Sequence, residues 1–202
     1  MLVRKITGVI LSMRPHAEFD RIVSVFSPEL GMTRIIAKGV RRMRSRRGYH
    51  LDLLNHIDME IEEPGNGSFS NGGKPTTRYL REVSVVQGFM KIKGAPERFA
   101  AACVVASFLV RVLPEGAPQT HVFDLTKSAF HALEEGRDTR ETLLTYFLKV
   151  TRALGYMPHK ISTKEDARDL LWKILNDIDP QFTLQARRTL GTFSKFESTI
   201  SS

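Results

Sequence analysis

The sequence predicts an α+β fold, in which a small β-barrel over residues 1–80 precedes an all-α helical domain over residues 81–202. In the first part, apolar and polar residues alternate with a period of two between turn residues, as in half-buried strands. In the second part, apolar residues recur every three or four positions, which is the helical period. With 42% apolar and 26% charged residues, the chain has the composition of a globular protein and not of a disordered one.

Five strands are expected in the first part. They are predicted over residues 2–13, 19–26, 32–38, 51–62 and 79–86, and the last would close the barrel across the expected domain boundary. Turns are expected at residues 14–18 and 27–31, and residues 64–77, with four of the 14 glycines, are expected to form a flexible loop. Five strands match an OB-fold, a barrel that often binds single strands or oligosaccharides. An SH3-like barrel has a similar number of strands, so the pattern alone leaves both open.

Four or five helices are expected in the second part. The first begins at Pro96 and is apolar nearly all round, which is typical of a central, buried helix. Asp138 and Glu141 have the spacing of a capping box, and Gly155 stands where the residue after a helix belongs. A further cap is expected at Ser162 with Glu165, and a last helical segment over residues 182–196.

Positive charge is concentrated in one segment. The chain has 30 Lys and Arg against 22 Asp and Glu, and the first 80 residues hold 13 basic and 8 acidic side chains. Residues 34–50 include seven basic residues and no acid. Such a run can be a solvated surface loop, but it is rich in arginine, whose planar guanidinium suits phosphate contacts, and it continues a predicted strand. This favours a polyanionic partner, either a nucleic acid or an anionic membrane surface.

The candidate contacts for a nucleic acid follow from this run. Arg34 and Lys38 are expected on one face of a strand, and the following residues are expected to extend along phosphates as a flexible basic loop: Arg41, Arg42, Arg44, Arg46 and Arg47. Tyr49 either stacks on a base or packs at the barrel rim. The weaker basic candidates are Arg14, Arg21, Lys74 and Arg78.

Recognisable catalytic and metal-binding patterns are missing from the sequence. A single cysteine, Cys103, excludes an intrachain disulfide and a multi-cysteine zinc site, and the six histidines are scattered. We therefore expect neither a catalytic residue nor a cofactor. One alternative stays open, because Asp58, Glu60 and Glu62 share a strand face that is either solvated or the magnesium site of a nuclease. With no long apolar run and no signal-peptide pattern, the chain is expected in the cytoplasm, without a membrane partner.

Two segments carry recognisable motifs. The first comprises Ala17-Glu18-Phe19-Asp20-Arg21-Ile22-Val23, then Gly31, then Ala37-Lys38-Gly39-Val40-Arg41-Arg42-Met43-Arg44-Ser45. The second is Leu154-Gly155-Tyr156-Met157-Pro158 after a capped helix. Together they resemble the bacterial DNA repair protein RecO family, and the second is similar to that family's Leu-Gly-Tyr-x-Pro. Many members carry zinc-binding cysteines just after this motif. Here His159-Lys160-Ile161-Ser162 follows, so no zinc module is expected.

The resemblance implies an N-terminal OB-fold followed by a helical domain, and a recombination mediator of DNA repair that is not an enzyme. Such a protein binds single- and double-stranded DNA, anneals complementary strands and helps to load recombinase, at the nucleoid. Its implied partners are RecR and the acidic C-terminal tail of single-strand-binding protein. The alternative is an adaptor whose basic surfaces dock an acidic protein tail or RNA, with Arg98, Arg111 and Arg152 as possible rims of a pocket on the helices.

Overall fold

A computed structural model describes residues 2–43, 45–63, 77–156, 172–184 and 186–188. The chain divides into two compact units, which we call the barrel unit (residues 1–88 and 113–120) and the helical unit (residues 89–112 and 121–202). The boundary expected at residue 80 falls inside the last strand of the barrel. The division comes after Gly88 instead, because that strand is hydrogen-bonded into the sheet.

The barrel has the five expected strands. They are β1 (Leu2–His16), β2 (Asp20–Ser27), β3 (Gly31–Ala37), β4 (His56–Glu63) and β5 (Arg78–Gln87). They close in the order β1-β2-β3-β5-β4, with β3 and β5 parallel and the other pairs antiparallel. This order is that of an OB-fold, and it decides against the SH3-like alternative.

Strand β1 is long because its two halves pair with different strands. Residues 2–9 pair with β4, and residues 9–16 pair with β2. The change of partner occurs beside Gly8, where a Cβ atom would stand 2.7 Å from the carbonyl oxygen of Phe26 and 2.5 Å from Cγ1 of Val25. Since real Cβ atoms do not approach a backbone oxygen that closely, the crossing of the strands at this point requires glycine.

Inside the barrel, the period-two pattern holds. On β3, Thr33, Ile35 and Ala37 are buried, while Arg34 and Lys38, the residue directly after the strand, are exposed, as predicted. The fully buried side chains of the barrel core include Ile10, Val25, Ile57 and Ile61. These are mainly β-branched residues, which pack well on a pleated surface.

Strand β4 begins later than expected, at His56 and not at residue 51. Leu54 is fully buried with φ +68°, and its N–H donates to the carbonyl oxygen of Ile10 at 2.9 Å. The side-chain amide of Asn55 donates to the carbonyl oxygen of His50 at 3.0 Å. A left-handed residue cannot continue a strand, so residues 51–55 form a turn even though their sequence alternates.

A short helix, α1 (Arg46–His50), precedes β4 in the chain. The helical unit contains four helices described in full: α2 (Met90–Lys93), α3 (Pro96–Val112), α4 (Thr120–Glu135) and α5 (Thr139–Ala153). Residues 172–178 and 180–184 are also helical. Helix α3 buries seven residues, as expected of a central helix. The aromatic ring of its Phe108 lies 5.2 Å from that of Phe147 and 5.7 Å from that of Phe182, which joins three segments in one core.

Both predicted ends of α5 are confirmed. Oδ1 of Asp138 accepts the N–H of Glu141 at 2.6 Å and caps the first turn. At the other end, Gly155 has φ +81° and its N–H donates to the carbonyl oxygen of Arg152, while the N–H of Tyr156 donates to that of Thr151. This pair of bonds is a Schellman motif. The cap expected at Ser162 and the end of the segment predicted over residues 182–196 lie outside the described residues.

Candidate functional site

The outer surface of β1, β2, β3 and β5 is basic with apolar residues between the charges. One row across the strands consists of Arg14, Ile22, Ile36 and Tyr79, which are register partners in turn. Lys38 follows β3, and its Nζ lies 4.4 Å from the ring centroid of Tyr79. Strands 2 and 3 form the face that OB-folds present to oligonucleotides, so this is the candidate functional surface.

The turn that follows β3 is structured, and the expectation of a flexible basic loop is wrong for its described residues. The N–H of Gly39 donates to Oδ1 of Asp20 at 2.8 Å. Arg41 donates twice to the β1–β2 turn, from its N–H to the carbonyl oxygen of Phe19 at 3.0 Å and from Nη1 to that of Glu18 at 3.1 Å. These bonds tie two neighbouring turns together at one end of the barrel.

A short helix comes next, α1 (Arg46–His50), which Ser45 caps by accepting the N–H of Gly48 at 3.2 Å. (This helix precedes β4 in the chain.) Its helical geometry sends the two adjacent arginines in different directions. Arg46 is exposed and makes no hydrogen bond or ion pair within the part of the chain that the structure describes.

Arg47 turns back onto the barrel. Its Nη1 donates to the carbonyl oxygens of Leu80 at 3.2 Å and Arg81 at 3.1 Å, and its Nη2 donates to that of Lys38 at 3.2 Å. The guanidinium therefore joins the end of β3 to β5. These bonds give Arg47 a structural role in the barrel, and they do not support the expectation that it lies along phosphates.

The exposed arginine Arg42 has a different neighbour. Its guanidinium carbon lies 5.2 Å from the centroid of the Phe19 ring. Phe19 itself was expected inside the second strand, but the structure places it in the turn before β2 with 39% of its surface exposed. Residues 17–19 form the turn between β1 and β2, in which Ala17 has φ +49°, so Phe19 lies in the turn and not in the strand.

An acid that the sequence did not connect with this surface reaches Arg34. Oε1 of Glu115 lies 2.9 Å from Nη1 of Arg34. Glu115 belongs to residues 113–120, which we call the strap, between α3 and α4 in sequence but within the barrel unit. The strap donates two hydrogen bonds, from the N–H of Gly116 to the carbonyl oxygen of Met32 in β3 and from that of Gln119 to the carbonyl oxygen of Pro28 in the β2–β3 turn.

The remaining candidates have varied surroundings. The side chain of Arg78 is only 18% exposed and donates to Glu63 at 2.6 Å and to Oγ1 of Thr33 at 2.9 Å, so it has a structural role. Tyr49 is 79% exposed, which excludes close packing at the barrel rim. Arg14 is exposed and Arg21 half-buried. Arg44 and Lys74 lie outside the described residues.

The acidic face of β4 is matched by basic side chains. Glu60 pairs with Lys5 at 3.3 Å, and Glu62 pairs with Arg81 at 3.4 Å. In the part of the chain that the structure describes, no three His, Cys, Asp or Glu side chains are grouped so as to hold a metal ion. These contacts give the nuclease alternative no geometric support.

In the helical unit, the residues singled out from sequence have ordinary roles. Cys103 is half-buried on α3, and burial raises the pKa of its thiol, which keeps it protonated and poorly nucleophilic. Arg111 donates to Asp179 at 2.6 Å. The N–H of Phe182 and then the Arg111 guanidinium hold the pKa of the Asp179 carboxyl below its usual value. No helix among the described residues is long and apolar enough to cross a membrane.

The closed barrel of order β1-β2-β3-β5-β4 and the helices after it define an OB-fold protein with a helical domain. Comparison with known protein families identifies the chain more specifically than its fold does. Residues 1–74 match the model described as "Recombination protein O N terminal", and residues 94–162 match "Recombination protein O C terminal". The chain belongs to the RecO family, as its sequence motifs had indicated.

Several curated relatives are named DNA repair protein RecO. The relative from Syntrophobacter fumaroxidans is 26% identical over 158 residues, which cover 78% of this chain and 59% of the relative. That from Anaeromyxobacter sp. (strain K) is 31% identical over 154 residues, or 76% and 58%. That from Roseiflexus sp. is 28% identical over 156 residues, or 77% and 51%. The chain thus matches between half and three fifths of the length of these relatives.

Proposed function

We propose that this chain is a DNA-binding recombination mediator of DNA repair, which binds single- and double-stranded DNA, anneals complementary strands and assists the loading of recombinase at the nucleoid. Membership of the RecO family supports the role in repair. The observation that carries DNA binding is the set of exposed cations in the segment that follows β3 of an OB-fold barrel, namely Lys38, Arg41, Arg42 and Arg46.

These cations are expected to contact phosphates, because each is exposed and charged, and Arg and Lys are the usual partners of phosphate oxygens. Each phosphate contact releases condensed counterions, so affinity falls as salt rises, by about 0.7 in the slope of log K against log salt for each contact on a single strand. Sequence preference is small. Annealing follows from the same contacts, since neutralising two backbones lowers their repulsion while base edges stay free to pair.

The test is the double variant R42A/R46A, measured by fluorescence anisotropy with a labelled single strand and by the rate of annealing of two complementary strands. Both arginines are exposed, so the variant should fold as the parent does. We expect weaker binding, a shallower salt dependence and slower annealing. The matched control is K5A, which removes an exposed cation on the β4 side of the same barrel. Unchanged binding and annealing in R42A/R46A would refute the proposal.

The two protein partners, RecR and the acidic tail of single-strand-binding protein, are proposed from family membership. A groove of about 320 Å³ between α4 and α5 has an apolar floor that includes Leu125, Ala129 and Ala132. Its rim combines two basic and two acidic residues: Arg137, Lys149, Asp138 and Glu141. Charge therefore does not favour an acidic occupant there, and of the rims expected from sequence, Arg111 is already paired with Asp179.

A competition experiment distinguishes the proposed mediator function from the alternative, an adaptor that docks an acidic tail or RNA. Single-stranded DNA, RNA of equal length and an acidic tail peptide are titrated against a labelled single strand bound to the protein. For a mediator we expect DNA to displace the label most effectively and the peptide to leave it bound. An adaptor would show the opposite order, with the peptide or the RNA as the stronger competitor.

A further inference from the structure

An aromatic ring is held at the surface of the barrel, at the tip of the β1–β2 turn. Phe19 is 39% exposed and stands beside the basic residues of the turn after β3. Neither the phosphate contacts proposed above nor the barrel core uses it. A single exposed phenylalanine is ordinary by itself. Phe19 differs in that its backbone is held by hydrogen bonds and its ring lies beside a cation.

The backbone around Phe19 is fixed on both sides. Its carbonyl oxygen accepts the N–H of Arg41 at 3.0 Å, and the preceding carbonyl of Glu18 accepts Nη1 of the same arginine at 3.1 Å. The following residue, Asp20, accepts the N–H of Gly39 at 2.8 Å. Three hydrogen bonds thus hold the backbone that carries the ring before any ligand arrives, which lowers the entropic cost of binding.

The ring is paired with a planar cation. The Arg42 guanidinium carbon lies 5.2 Å from the ring centroid, within the range of a cation–π contact. Aromatic rings and guanidinium groups are the two surfaces on which unpaired bases stack in single-strand-binding OB-folds. Both are present here, next to cations placed to bind the adjoining phosphates.

We propose that Phe19 and Arg42 form a stacking site for one unpaired nucleobase, which makes the barrel prefer single-stranded over double-stranded DNA. The inference rests on the proposed DNA-binding function and adds a base contact to it. A duplex cannot use the site, because its bases are already stacked on one another. The site takes any of the four bases, since each has a π face.

The experiment compares three ligands of equal length: an oligothymidine, the same strand without bases, and a duplex. Wild-type protein should bind the oligothymidine at least about fivefold more tightly than the abasic strand. The variant F19L keeps apolar bulk and removes the ring, so it should lose that difference while its affinity for the abasic strand and the duplex stays the same. The conservative variant F19W should retain the preference.

Fluorescence supplies a second readout. In F19W, binding of oligothymidine should quench the new indole, and the abasic strand should not. The natural single tryptophan gives the background in the wild-type protein. Circular dichroism and thermal melting confirm that each variant is folded.

The outcomes separate the two proposals. If the wild-type protein binds none of the three ligands, the proposed function fails. If it binds the oligothymidine and the abasic strand equally, or if F19L keeps the full preference, DNA binding stands and the stacking site is disproved.

Discussion

At the residue scale, the adjacent arginines Arg46 and Arg47 have different contacts although they are identical side chains. Arg46 points to solvent, whereas Arg47 donates three hydrogen bonds to backbone carbonyls of the barrel. A run of like charges does not reveal this difference. It arises because α1 rotates successive side chains by a large angle, so that only one of the two faces the barrel.

This contrast predicts opposite effects of two neighbouring substitutions. R47A should lower the free energy of unfolding by about 1–3 kcal/mol, since it leaves three carbonyl oxygens without their donor. R46A should change that free energy by less than about 0.5 kcal/mol, as is usual for an exposed side chain. Urea denaturation measures both.

For DNA binding the order should reverse, with R46A weakening the affinity for a single strand and folded R47A weakening it less. Anisotropy titrations at low temperature and without denaturant, where both variants are folded, provide this comparison. A stable R47A variant with strongly reduced DNA binding would contradict the structural role of Arg47.

At the element scale, the barrel depends on one strand that changes partner. Strand β1 pairs with β4 and then with β2, and Gly8 lies at the change. The strands approach so closely there that a single added methyl group would meet a backbone oxygen. A flexible side chain could move away, but a backbone carbonyl in a sheet cannot do so without breaking register.

We therefore expect G8A to destabilise the barrel by about 1–3 kcal/mol, the usual cost of overpacking a core. The matched control is G94A, where the glycine has φ −77° and the added Cβ would lie no closer than 3.3 Å to another group. The free energy of unfolding from urea titration distinguishes the two. Equal, small losses in both variants would show that β1 and β2 can separate without cost.

At the scale of the whole chain, the barrel unit is not continuous in sequence. The strap of residues 113–120 follows α3 and is hydrogen-bonded to the β2–β3 turn. It brings Glu115 to Arg34, which was expected to contact DNA. Glu115 thus forms an ion pair with one cation of the candidate DNA-binding surface.

Removing that acid should strengthen DNA binding. In E115Q, Arg34 loses its carboxylate partner and becomes available to a phosphate. An exposed ion pair is worth up to about 1 kcal/mol, so we expect affinity for a single strand to rise by up to about fivefold at low salt and less at high salt.

The control for this prediction is E60Q, which removes the same charge from the β4 face, where Glu60 pairs with Lys5. It should raise affinity less than E115Q. Equal gains in the two variants would show that only the net charge matters. No gain in E115Q would mean that Arg34 does not contact DNA.

Much of the fold follows from local patterns. The alternation on β3 predicts that Ile35 is buried and Arg34 exposed, because successive strand residues face opposite sides of the sheet. This prediction needs no information from the rest of the chain. The cap at Asp138 and the left-handed Gly155 could be predicted for the same reason, since each depends on hydrogen bonds within a few residues. The family was also recognisable from short motifs.

The sequence by itself thus determined the order of strands and helices, the family, and the acid-free basic segment. Only the tertiary structure decided which members of that segment are available to a ligand. Arg47 is hydrogen-bonded to carbonyl oxygens of β5 and Arg34 is paired with an acid about 80 residues away, whereas Arg42 stays exposed beside a ring on another turn. Such contacts join residues distant in sequence. They depend on strand register and the path of the chain, which no local pattern encodes.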